Sequence, residues 1–197
     1  MSPVNAFISY SHADEKYLEL LHKHFAVMQR EGSLNAWTDH AVLPGSDLAG
    51  EINSNLDKSA LFIALVSPNY LASNYCYDIE FEKALGLTGA GKTRIVPVIL
   101  EPCDWLSSPF KGFLALPKDG KPISEWTNQN NAFMDVISGI RRILDSNVPE
   151  PQLIATGDTP LPISRRPRIK QDFDSIQKAE FADKAYEVIR DYFRASC

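Results

Sequence analysis

Apolar residues along this chain fall into short unbroken runs separated by stretches in which they recur every three or four positions. Val4–Ser9 is a compact run of strand-forming residues. Ser11 follows as a candidate N-cap, with Asp14 and Glu15 in the first turn of a helix. Tyr17, Leu18, Leu21, Phe25 and Met28 share one face of that helix, which ends near Gly32. Leu34–Thr38 reads as a second strand. Leu43, Pro44 and Gly45 open a loop, Ser46 is placed to cap the next helix, and Leu48, Ile52 and Leu56 mark that helix's apolar face. Leu61–Val66 is apolar at every position, as in a parallel strand covered by helices on both sides. A helix over 75–87 follows, then a strand over 94–100. Pro97 has no amide hydrogen, which assigns that strand to a sheet edge or a bulge. A long connection leads to a short fifth strand at 122–124 and a helix over 128–144.

The alternation of strands and helices predicts an α/β fold: a five-stranded parallel sheet with right-handed crossovers and helices on both faces. In such sheets ligands bind beyond the carboxyl ends of the strands. Here those ends are 9–12, 38–45, 67–69 and 101–104. The texture changes after residue 146. Five prolines between 149 and 167 make 147–174 a linker, and Phe181, Ala185, Val188, Ile189 and Phe193 give 175–197 the pattern of a C-terminal amphipathic helix. That helix is expected either to fold back on the first domain or to begin a further, sensor-type domain.

Composition narrows the class. A net charge of −5 over 197 residues argues against a general binder of nucleic acid or of an anionic membrane. Arg165, Arg166, Arg168 and Lys170 form a local basic cluster in the linker. The three cysteines lack the pairing or CxxC spacing of a disulfide framework or zinc site. No apolar run approaches the ~20 residues of a membrane span. The expected setting is cytoplasmic.

Most chemical motifs are missing. Gly89, Gly91 and Lys92 do not complete a phosphate loop. Ser9 or Ser11 with His12 does not sit on the elbow that a nucleophilic serine needs. His22 and His24 point away from each other on their helix, so no metal site is expected. His12 stands at the mouth of the crevice, as a ligand contact or as an exposed loop residue. Glu80 lies four residues beyond Cys76 and shares its helix face. By pattern alone Glu80 is either a surface acid, as Asp78 and Glu82 are read, or a reactive carboxyl.

Four segments, in order and at the right spacing, resemble the TIR (Toll/interleukin-1 receptor/resistance) domain over about residues 3–145. They are Phe7–Ser11, Trp37–Asp39 with Leu43–Gly45, Ile63–Ser73, and Glu80 with Ala84 and Leu85. The resemblance implies a flavodoxin-like fold. Many bacterial and plant TIR domains cleave NAD+ at the nicotinamide–ribose bond using the third-helix glutamate, which maps onto Glu80. NAD+ is then the substrate, and no further cofactor is implied. Ser9, Tyr10, Ser11, His12, Asp39, Pro44, Gly45, Tyr75 and Cys76 are the implied contact residues, with Tyr10 and Tyr75 flanking rings and Asp39 accepting from a ribose hydroxyl. The segment 38–47 corresponds to the family's BB loop, with Pro44 and Gly45 as its hinge.

The resemblance further implies self-association through TIR–TIR contacts as the activating step and a bacterial antiphage role. The competing reading is a non-catalytic interaction module, an adaptor or a mimic of host signalling proteins, working through the BB loop. Two departures stand out. The family aromatic lies four residues before the glutamate, whereas Tyr75 lies five before Glu80, so the helix start carries one extra residue. Ser11 and His12 replace the family's basic pair. Glu82 is the fallback for Glu80.

Overall fold

A computed structural model describes residues 3–41, 45 and 47–146. Four parallel strands form the sheet: β1 (Val4–Ser9), β2 (Leu34–Trp37), β3 (Leu61–Val66) and β4 (Arg94–Ile99), in the order β2-β1-β3-β4. Among the described residues five α-helices surround it: α1 (Glu15–Arg30), α2 (Leu48–Lys58), α3 (Pro68–Ala72), α4 (Glu82–Gly89) and α5 (Gln129–Asp145). A π-helical segment, Asn74–Phe81, runs directly into α4.

Burial explains the uninterrupted apolar run of β3. All six of its residues are buried. Leu61, Ile63 and Leu65 join one core with α1 and α5, through Leu21, Phe25, Phe133 and Ile137. Phe62, Ala64 and Val66 join a second core with α2 and the π segment, through Ile52, Leu56 and Phe81. Successive strand side chains point to opposite faces, so a strand covered on both sides has no polar position to spare. Fully burying each large side chain contributes roughly 1.5–3 kcal/mol.

Strand β4 is the sheet edge, and Pro97 lies within it opposite Ala64. Its carbonyl accepts from Leu116 N at 2.8 Å, and Leu116 returns a carbonyl to Ile99 N at 2.8 Å. That exchange is the whole of the fifth strand position among the described residues. Residues 123–125 form a 3-10 turn rather than the expected strand, with Ser124 N bonded to the Leu100 carbonyl at 3.0 Å. Pro117 directly follows Leu116 and Pro122 directly precedes the turn; neither supplies an amide hydrogen, which works against a regular ladder along this stretch. The expected linker at 147–174 and helix at 175–197 lie outside the described residues. Among the described residues no helix is long and apolar enough to cross a membrane.

Capping differs in detail from expectation. Ser11 makes no side-chain cap bond, and a 3-10 turn, His12–Asp14, precedes α1. Asp14 is buried and accepts from Ser67 Oγ and, at 3.1 Å, from Asn69 Nδ2. It therefore stands just before α1, rather than in its first turn, and ties that start to the residues that follow β3.

Candidate active site

From β1 the chain crosses to β2 on one side, and it then returns to β3 on the other. The connections diverge at the carboxyl ends of β1 and β3, which leaves a crevice between them. Ser9 closes β1 there, and Tyr10, Ser11 and His12 run across its top. Beside them lies a cavity of about 390 Å³, within the range of small-molecule sites. Tyr10, Ser11, His12, Asp39, Tyr75, Cys76 and Glu80 all line it. Ile52 and the exposed Leu48 of α2 form an apolar wall.

The π segment decides how Glu80 enters this cavity. A π turn spends one more residue than an α turn, closing bonds between positions five apart. Tyr75 and Glu80, five apart, therefore come to the same wall as Cys76. The extra residue read from the sequence is absorbed here. Ser73 Oγ accepts from Cys76 N at 3.3 Å at the segment's start. At its end the Phe81 ring stacks on Phe110 at 4.0 Å, with Tyr77 tilted against Phe81 and edge-on to Phe110. An α-helical start anchored at the same Phe81 would rotate Tyr75 away from the cavity.

Glu80 is 5% exposed. Ser9 Oγ donates to its Oε2 at 2.6 Å, the short distance of a charge-assisted bond. Burial pushes the carboxyl up to about 7, with the negative charge of Asp39 adding to the rise and the Ser9 hydrogen bond and His12 opposing it. Asp78 and Glu82 are exposed, as expected of surface acids. Burial raises the Cys76 thiol to about 11, so it stays protonated at neutral pH and donates to the Tyr10 carbonyl at 3.2 Å. It is a structural donor rather than a nucleophile.

Asp39 Oδ2 lies 2.8 Å from His12 Nε2, which orients the carboxyl at the cavity rim. Asp39 Oδ1 and the Tyr10 hydroxyl are buried, and neither meets a partner in full hydrogen-bond geometry. Burial first, then the nearby Asp39 charge and a hydrogen-bonding contact with the Asp39 carboxylate, raise the Tyr10 hydroxyl above its ordinary range. Tyr10 and Asp39 are thus neighbouring polar groups, and both residues line the cavity. The Tyr10 ring stands 5.5 Å from His12 and 5.7 Å from His40.

Gly45 is exposed, with φ +90, a conformation that side chains beyond glycine rarely adopt. It is not among the residues lining the cavity, and Pro44 lies outside the described residues. Among the described residues no group of histidine, cysteine and carboxylate side chains is placed to hold a metal ion. Sequence reasoning assigned no role to Tyr70, which is fully buried with its hydroxyl 2.9 Å from Ser9 Oγ. The available signal was a tyrosine where phenylalanine would fill the core, because a buried hydroxyl needs a partner.

The family model of the TIR domain matches residues 6–132. This chain belongs to the TIR domain family. The uncharacterized protein y4lF of Sinorhizobium fredii is 32% identical over 98% of the chain, and the chain spans 64% of that relative's length. Toll-like receptor 4 of Pinctada imbricata is 31% identical over 58% of the chain, which matches 13% of the receptor. The solved TIR domain of the Toll-related receptor TRR-2 from Hydra magnipapillata aligns with 69% of this chain and 97% of its own, at 17% identity and a TM-score of 0.46.

Proposed function

We propose that this TIR domain cleaves NAD+ at the nicotinamide–ribose bond, with Glu80 as the catalytic carboxylate. The observation that carries this reading is a buried carboxyl held by Ser9 at 2.6 Å on the wall of a cavity of about 390 Å³. A glycosidase ordinarily needs a second carboxyl to protonate its leaving group. The nicotinamide of NAD+ is already cationic. When the bond to the ribose breaks, the electron pair goes to the ring nitrogen and nicotinamide leaves neutral. The remaining task is to hold the ribose and stabilise positive charge at its anomeric carbon. An ionised Glu80 does both, and preorganised groups of this type are worth about 3–4 kcal/mol each. Asp39 Oδ1 accepts from a ribose hydroxyl, and Tyr10 and Tyr75 flank the rings. Water then captures the ribosyl cation and releases a proton, or the adenine base of the same molecule closes a cyclic product.

Incubation of the full chain with NAD+ tests the reading, with products resolved for wild type, Glu80→Ala and Glu82→Ala. Glu80→Ala is expected to lose turnover by a factor of a hundred or more, about 3 kcal/mol. Glu82→Ala keeps it, since that side chain is exposed. Unchanged turnover in Glu80→Ala overturns the assignment. The reactive form is the carboxylate, so kcat/KM rises with pH through an apparent pKa of about 7 in wild type.

The match to a Sinorhizobium fredii relative favours a bacterial setting, in signalling or antiphage defence, with TIR–TIR assembly as the activating step. The match to a Toll-like receptor favours the second reading, an interaction module acting through the loop around Gly45. That module needs no ionisable group at position 80, so its binding is indifferent to Glu80→Ala.

A further inference from the structure

Glu80 heads a row of four polar groups rather than a single bond. Its Oε2 lies 2.6 Å from Ser9 Oγ, Ser9 Oγ lies 2.9 Å from the Tyr70 hydroxyl, and that hydroxyl lies 3.3 Å from the Cys76 carbonyl oxygen. Ser9 and Tyr70 are buried to 1% and 0% exposure, so water does not substitute for either partner. The row contains three contacts. Each hydroxyl supplies one hydrogen and the carbonyl supplies none. With Glu80 ionised there are two hydrogens for three contacts, and one contact stays empty. With Glu80 protonated there are three hydrogens, and every contact is filled.

We propose that Ser9 and Tyr70 are positioning residues whose hydroxyls form a reversible chain: it points toward Glu80 when the carboxyl is ionised, and toward the Cys76 carbonyl when the carboxyl carries its proton. In the ionised state Tyr70 donates to Ser9 and Ser9 donates to Oε2. The Cys76 carbonyl, at the longest contact, loses its tyrosine donor. In the neutral state Glu80 donates to Ser9, Ser9 to Tyr70, and Tyr70 to Cys76. One proton enters or leaves at Glu80 through the open cavity. Each hydroxyl only rotates, and no O–H bond breaks. The π segment completes the device, since it carries both ends of the chain, Cys76 and Glu80.

Two charged groups facing Glu80, Asp39 and His12, act on the same titration without joining the chain. Asp39 and His12 lie across the cavity with opposite effects, Cys76 shares the π segment, and Tyr10 and Tyr75 line the remaining walls. The α2 residues on the cavity, Leu48 and Ile52, carry no charge. The inference concerns the carboxyl assigned as catalytic above and rests on that reading only for its effect on turnover.

The two hydroxyls leave opposite signatures. Ser9→Ala removes a charge-assisted bond to the carboxylate, so the Glu80 titration midpoint rises. Tyr70→Phe removes the Ser9–Tyr70–Cys76 end of the chain, which the neutral state uses in full. The ionised state loses one bond and some polarisation of Ser9, about 10–30% of a bond, whereas the neutral state loses two bonds. The midpoint therefore falls, by about half a unit or more.

The test is a pH titration of the full-length chain, following the Glu80 carboxyl carbon by NMR in wild type, Ser9→Ala, Ser9→Thr and Tyr70→Phe. A rise in Ser9→Ala, a fall in Tyr70→Phe and a value near wild type in Ser9→Thr support the chain. A midpoint that is unchanged or raised in Tyr70→Phe overturns it. A second readout needs no variant: in wild type the Tyr70 ring carbon bearing oxygen titrates with the midpoint of Glu80, and a flat signal there overturns the chain as well. Neither readout requires turnover. A reversing chain in a protein inert toward NAD+ counts against the enzyme reading alone. A flat Tyr70 signal in an active enzyme counts against the chain alone.

Discussion

A carboxyl that titrates near neutrality inside a core destabilises its own fold whenever it is ionised. Glu80 rises from 4.5 in the unfolded chain to about 7 in the folded one, so folding takes up a proton. The associated stability is complete below pH 4.5 and is lost as the pH climbs through about 7. The span corresponds to about 3 kcal/mol, at 1.36 kcal/mol per unit. Glu80→Gln keeps the shape and never ionises. Urea unfolding is expected to show Glu80→Gln gaining on wild type by about 2–3 kcal/mol more at pH 8 than at pH 4.5. A gap of the same size at both pH values would remove burial of the charge as the cause. Gaining stability while losing turnover is the usual trade at a site whose chemistry needs a strained charge.

At the scale of the element, the π segment is one residue longer than the α turn it replaces, and that surplus is what places Tyr75 beside Glu80. Asp78 is exposed within it. Deleting Asp78 is expected to convert 74–81 to regular α-helix, with Tyr75 and Cys76 still on the cavity side, because the spacing then closes in α-helical steps. The variant should unfold within a few degrees of wild type in a thermal scan. The same deletion in an ordinary helix turns everything upstream by about 100° and exposes buried residues. Loss of the cooperative transition on deleting Asp78 would show that the surplus residue is not what the π turn accommodates. Strand β4 illustrates the complementary case. Pro97 pointed to an edge or a bulge from the sequence; the fold makes β4 an edge, and the missing hydrogen is harmless because, among the described residues, the outer side of β4 receives only the single exchange with Leu116.

For the whole molecule, the order β2-β1-β3-β4 opens the crevice between β1 and β3, so the ends of those strands and the segment after α3 converge on one cavity. The cavity rim includes exposed groups, Leu48 at 49% and Tyr75 at 39% exposure, and the glycine of the adjoining loop is exposed as well. A neighbouring copy seated on that rim would exclude water and strengthen every electrostatic contact with the substrate. If assembly completes the site, specific NAD+ turnover rises with protein concentration. Specific activity that stays flat from dilute to concentrated solution would assign the whole site to one chain.

Strands, helices and their order were legible because burial imposes a local pattern: β3 is apolar throughout since both faces are covered, and α1 and α5 show their stripes since each has one. The replacement of the expected strand at 122–124 by a 3-10 turn was not legible, because only the fold shows that the bridge to β4 falls at Leu116 instead. At the site, Glu80 stood out by family resemblance, yet its sequence alone left it equal to a surface acid. What the tertiary structure decided is its environment. Ser9 is 71 residues away in the chain and 2.6 Å away in space, and Tyr70 and Asp39 reach the same place from other segments. A titration midpoint depends on what surrounds a charge in three dimensions, and no local pattern encodes it. The extra residue before Glu80 was visible from the start. Only the fold showed that a π turn takes it up, because the burial of Cys76, Glu80 and Phe81 fixes both ends of that segment at once.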